Sequence, residues 1–114
     1  MTLPEQRSYR SGDIEYVLLE ATTRPDVAGQ QSLEITVRCT NHGRYDINFW
    51  DATFRLHAGG VNVAPDSGLN EVCEGDSSTT GTVRFVVPAG VSDPVLRIKF
   101  PEGESTAPLV ITPA

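Results

Sequence analysis

The sequence predicts an all-β fold, a sandwich of antiparallel strands, on three observations. Apolar and polar residues alternate over several short runs, clusters of Gly, Pro, Asn and Asp punctuate those runs, and no capped stretch of helical period occurs. Strict alternation sends side chains of one parity to one face of a pleated strand, which suits a half-buried sheet. The runs number about seven or eight, with turn signals roughly every 8–12 residues, the spacing of a sandwich or barrel. A parallel α/β sheet needs helical crossovers that the sequence does not offer.

The elements follow in order. Residues 1–13 are polar, with Pro4 and Gly12, and read as a flexible lead-in; residues 14–114 read as a single sandwich domain. IEYVLLEAT (14–22) is a strand, because it is rich in strand formers and too short and uncapped for a helix. Pro25, Asp26 and Gly29 mark a turn over 22–31. SLEITVRCT (32–40) alternates most clearly, with Leu33, Ile35, Val37 and Cys39 on one face and Glu34, Thr36, Arg38 and Thr40 on the other. NHGR (41–44) is a turn in which Asn41 and Gly43 are suited to positive φ.

YDINFWDATFRLHAGG (45–60) holds two short strands, one pairing Ile47 with Phe49 on a face and one pairing Phe54 with Leu56. Gly59-Gly60 makes a tight turn into VNVAP (61–65), and 66–78 reads as a loop with Gly68 and Gly75. In SSTTGTVRFVVPAG (77–90), Val83, Phe85 and Val87 share a face until Pro88 ends the ladder. PVLRIKF (94–100) sets Leu96, Ile98 and Phe100 together; PEGES (101–105) turns, and PLVIT (108–112) is a last strand.

With the strands placed, their order resembles a known family: the small immunoglobulin-like domains of bacterial secreted proteins and lipoproteins typified by the immunoprotective extracellular antigen. The resemblance spans residues 14–112 and rests on five segments: ITVRCTNHG (35–43), DATFRL (51–56), AGGVNVAP (58–65), EGDSSTTGTVRFVVPAG (74–90) and VLRIKF (95–100). It implies an immunoglobulin-like antiparallel β-sandwich and an extracytoplasmic setting, secreted, periplasmic or cell-surface, and it brings no agreed activity. Antibody domains match less well. Cys39 and Trp50 resemble their B-strand cysteine and C-strand tryptophan, but Cys73 comes too early for strand F, and Glu71 stands where the tyrosine belongs.

Charge narrows the partners. Nine basic residues against 15 acidic ones leave a formal net charge of −6, which repels phosphate backbones and makes nucleic acid an unsuitable partner. The single lysine, Lys99, and the scattered arginines form no basic patch for lipid headgroups, and no run approaches the ~20 apolar residues that span a bilayer. The opening MTLPEQRSYRSGD has neither an apolar signal segment nor a lipid-attachment cysteine. Two settings fit it: a cytoplasmic protein, or an extracytoplasmic domain separated from its leader.

Candidate chemistry is sparse. Cys39 and Cys73, with 33 residues between them, are the only cysteines. A disulfide between them closes a loop worth roughly 3–4 kcal/mol on the chain-entropy account, and the even count fits an oxidising compartment. The other reading is two free thiols, one in a strand face and one in a loop. No CxxC spacing makes them a zinc pair.

His42 and His57, near Asp46 and Asp51 in sequence, supply the only support for a metalloenzyme or hydrolase. Asp66, Asn70, Glu71, Glu74 and Asp76 gather oxygen ligands of the kind calcium takes, in no EF-hand spacing; a solvated acidic loop is the plainer account. Ser77, Ser78, Thr79, Thr80 and Thr82 lack a GxSxG elbow and read as architecture, so no catalytic residue and no cofactor is expected. Tyr45, Phe49 and Trp50 are the one aromatic cluster. Phe49 and Trp50 fill the core, or else period two from Ile47 sends Asn48 and Trp50 outward, making Trp50, Asn48 and Tyr45 the binding candidates.

The expected function is therefore a non-catalytic extracytoplasmic interaction module whose partner is a protein or a cell-envelope component. The alternative is a protease-inhibitor-like domain acting through a projecting loop such as 64–76.

Overall fold

The structure is a computed structural model and describes residues 1–111 of the 114. Among these the strands are β1 (Ser8–Ser11), β2 (Ile14–Pro25), β3 (Gln30–Asn41), β4 (Ile47–Trp50), β5 (Phe54–Ala58), β6 (Val61–Val63), β7 (Asn70–Cys73), β8 (Ser77–Pro88), β9 (Val95–Phe100) and β10 (Gly103–Pro108), with one 3-10 turn at Asp51–Thr53. They form two four-stranded sheets, ordered β1-β2-β3-β8 and β10-β9-β5-β6, and a two-stranded ribbon, β4-β7. Every pairing is antiparallel. The fold is the all-β sandwich that the alternation predicts. Among the described residues no helix is long and apolar enough to cross a membrane.

The core lies where period two puts it. Leu33, Ile35, Val37 and Cys39 of β3 and Val83, Phe85 and Val87 of β8 are buried, facing Phe54 and Leu56 of β5 and Leu96 and Ile98 of β9. Tyr16 ties the layers together, its ring 5.3 Å from that of Phe54, edge-on, and 6.0 Å from that of Phe49. Burial pushes the Tyr16 phenol up to about 12, which keeps it neutral inside the core. The double leucine of β2, which breaks alternation, is resolved by a bulge: register shifts between Leu18 and Glu20, so Leu18 stays buried while Leu19 turns to solvent.

Several boundaries differ from the sequence expectation. The lead-in contains β1, which pairs with β2 and buries Tyr9, while Thr2 bridges Val110. β2 runs on to Pro25, across the expected turn, because Thr23, Arg24 and Pro25 pair with Leu33, Ser32 and Gln31. Residues 70–73 of the expected 66–78 loop are β7, drawn into a ladder with β4. The last strand begins at Gly103 and not at 108, since Phe100 pairs with Gly103 around a tight Pro101-Glu102 turn. Of PLVIT, Leu109 packs in the core and Val110 makes only the single bridge; Thr112 lies outside the described residues.

Asn41 and Gly43 do not adopt positive φ, whereas Gly59 and Gly60 do, as their turn requires. Gly43 lies close to Asp13: a Cβ there would stand 2.8 Å from the Asp13 carboxylate, which would have to swing aside.

Gly81 plays the same part inside β8. A Cβ at this position would lie 2.7 Å from Leu69 and 3.1 Å from the Phe49 ring, so both side chains would have to shift to admit one. Strand propensity alone would make Gly81→Val stabilising. The packing predicts the reverse, a loss of about 1–3 kcal/mol in chemical denaturation, and a gain in the unfolding midpoint would refute it.

Candidate functional site

Chain alternation places the binding candidates. In β4, Ile47 and Phe49 turn inward, and Phe49 is 0% exposed; Asn48 and Trp50 turn outward, leaving Trp50 45% exposed. Across the ribbon Val72 stands opposite Asn48 and Asn70 opposite Trp50, so an indole, an isopropyl group and two amides share one outer face. The cluster thus divides between the two readings: Phe49 fills the core and Trp50 does not.

Trp50 and Asn48 edge a shallow groove of about 580 Å³ whose other walls include Ile14, Ile47, Lys99 and Pro101. Tyr45, 78% exposed, borders a neighbouring hollow of about 280 Å³ that shares Ile14, Ile47 and Pro101 with the groove. All three binding candidates therefore lie along one continuous stretch of surface. Asp46 and Lys99 give the groove one carboxylate and one ammonium.

The ribbon's position is set by residues that sequence reasoning passed over. Asn41, buried, donates its amide to Tyr45 O at 2.6 Å and to Cys73 O at 3.2 Å, while its carbonyl accepts from Gly43 N at 2.9 Å. At the far end Asp51 accepts from Ser67 Oγ (2.6 Å) and Gly68 N (2.7 Å), and Asp51 N donates to Leu69 O. The β7–β8 turn is pinned to the turn before β4: Gly75 N donates to Asp46 Oδ1 and Asp76 N to Gly43 O. A Cβ on Gly75 would fall 2.5 Å from Arg44 O, and Asp76 takes φ of 57° beside it. The acidic-glycine segment before β8 thus has a packing cause.

These ties also bear on segment 64–76. Asp51 and Arg84 hold its first half by side-chain contacts to Ser67 and Asp66, and Asn70–Cys73 pair with β4. The oxygen ligands are scattered likewise: Asp66 pairs with Arg84 at 2.6 Å, Asn70 and Glu71 sit in β7, and Asp76 forms the turn. Among the described residues no three His, Cys, Asp or Glu side chains are grouped as a metal would need.

The histidines are separated. His57 Nδ1 lies 3.2 Å from Asn62 Oδ1, whereas His42 Nε2 lies 2.9 Å from Glu15 Oε1, a partner the sequence did not suggest. Asp46 and Asp51, its neighbours in sequence, are engaged with backbone amides elsewhere. Glu15 also accepts from Ser8 Oγ, so the carboxylate sits between hydroxyl and imidazole. In nucleophilic triads the imidazole takes that middle place, to draw the proton from the hydroxyl. The cysteines converge: Cys73 lies in β7 and not in a loop, with its Sγ 3.5 Å from Cys39 O; both are buried, free thiols.

No family model matches this chain, and no curated protein matches it. Solved structures do. The chain is similar to a candidate lipoprotein (ycdA) from Bacillus subtilis, with a TM-score of 0.75 and 16% identity over 94% of this chain; the match spans 39% of the Bacillus protein's length. An uncharacterized β-sandwich protein from Clostridium difficile matches at TM-score 0.64 with 9% identity, covering 87% of each chain. A protein of unknown function from Listeria monocytogenes matches at TM-score 0.72 with 7% identity, over 92% of this chain and 81% of that one. At such identities the likeness shows a shared fold.

Glu15 gives the Ser8–Glu15–His42 contact a pH signature. The Ser8 hydroxyl, first, and then His42 hold its carboxyl below the usual carboxylate range. A lowered folded-state value means that stability is present above the unfolded value and lost as pH falls through the folded one. Thermal midpoints measured from roughly pH 3 to pH 7 should therefore fall more steeply on the acid side for wild type than for Glu15→Gln. Parallel curves would show that Glu15 contributes nothing.

Proposed function

We propose that the chain is a non-catalytic, extracytoplasmic interaction module that presents Trp50, Asn48 and Tyr45 to a protein or cell-envelope partner. The observation that carries this reading is the exposure of Trp50 on a strand whose adjacent Phe49 is wholly buried. An indole held rigidly at a surface beside amide groups offers large contact area at small entropic cost, the make-up of an interface anchor. The shallow groove alongside, with Lys99 and Asp46 at its margins, gives such a contact polar handles.

The extracytoplasmic setting is supported by two likenesses. The strand order resembles the immunoglobulin-like domains typified by the immunoprotective extracellular antigen, and the Bacillus neighbour is a candidate lipoprotein. The non-catalytic reading is supported by the engagement of each histidine with a surface partner, Glu15 or Asn62.

Cosedimentation with the native host's cell-envelope fraction tests the proposal, using wild type beside Trp50→Ala and Asn48→Ala with circular dichroism as the folding control. Wild type should be retained, and Trp50→Ala should bind at least ~10-fold more weakly, as expected for an aromatic anchor. Equal retention of wild type and Trp50→Ala, or none of either, would contradict it.

A further inference from the structure

We propose that Cys39 and Cys73 are the two halves of a disulfide that ties the β4–β7 ribbon to β3. The inference is independent of the role proposed for Trp50 and rests on where the fold brings the two sulfurs. Cys39 lies on the inward face of β3, and Cys73 closes β7, opposite Ile47. The Cys73 Sγ is 3.5 Å from Cys39 O and 3.5 Å from Ser77 O, which sets it against the backbone of the residue that carries the other thiol, and the two sulfurs are unbonded in this structure. Both are wholly buried, and they are the only cysteines in the chain.

The ribbon is the element that a crosslink would serve. It shares no ladder with either four-stranded sheet, so side chains and turns hold it in place: the Phe49 ring, the Asn41 amide and the Asp51 carboxylate. A sulfur–sulfur bond at Cys73 adds a covalent tie beside Asn41 Nδ2···Cys73 O, and it closes a loop that contains β4, β5, β6 and β7. Such a loop removes many conformations from the unfolded chain.

The chemistry is thiol–disulfide exchange with a small-molecule disulfide such as glutathione disulfide. One cysteine thiolate attacks a sulfur of the reagent, forming a protein–glutathione disulfide as the reagent's S–S bond breaks and one glutathione thiolate leaves. The second cysteine thiolate then attacks the protein sulfur, forming the Cys39–Cys73 bond and expelling the second glutathione. The protein loses two electrons and two protons, and the reagent gains both as two glutathione thiols. Burial, first, and the neighbouring Cys73 push the Cys39 thiol up to about 12, so in the folded chain it is protonated and shielded. Exchange therefore belongs to the folding chain, and the completed bond is sealed inside the core.

Refolding the reduced, denatured chain in a glutathione–glutathione disulfide mixture tests this. The expected product is a folded monomer about 2 Da lighter than the reduced chain, with no free thiol in denaturant and a Tm roughly 10–20 °C higher. A folded product with two free thiols, with glutathione on either cysteine or with a disulfide-linked dimer would overturn the proposal. So would an oxidised monomer no more stable than the reduced one.

Discussion

The structure depends on keeping one apolar face of β3 and β8 dry. Leu33, Ile35, Val37, Val83, Phe85 and Val87 are all essentially inaccessible to solvent, in one core with Phe54 and Leu56 of β5 and Leu96 and Ile98 of β9. Each fully buried side chain of this size contributes about 1.5–3 kcal/mol relative to exposure, so no surface ion pair in the molecule competes with that face. The charged residues act elsewhere. Arg84 reaches Asp26 and Asp66, and Arg97 reaches Glu104 and Asn62, tying loops and edges to a body already formed.

The ribbon follows from the same constraint. β8 presents bare backbone at Gly81, and Phe49 of the separate two-stranded ribbon and Leu69 just before it settle against that glycine. Because Phe49 must point in, Trp50 must point out. The surface proposed for recognition is thus a direct consequence of packing: the strand period that completes the core also presents the indole. Buried Asn41 then fixes the turn that carries Tyr45.

Much of this was legible in the chain because alternation reports burial directly. All of the apolar residues assigned inward in 32–40 and 82–87 are buried, and Trp50 follows its strand parity. What stayed hidden depends on contacts distant in sequence. Tyr9 and β1 looked like polar lead-in because their partner β2 supplies the apolar surface. Asn70–Cys73 carries no alternation of its own and becomes a strand only beside β4. The Glu15–His42 contact spans a sheet register that no single sequence discloses, and the spacing of Cys39 and Cys73 says nothing of their convergence.

Native-state amide hydrogen exchange on the intact chain tests the central claim most directly. If the β3–β8 face is what the fold rests on, amides from Leu33 to Val37 and from Val83 to Val87 exchange last, through global unfolding, with those of β4, β6 and β7 at least ~10-fold faster. Ribbon amides protected as strongly as those of β3, or rapid exchange within Leu33–Val37 under native conditions, would contradict it.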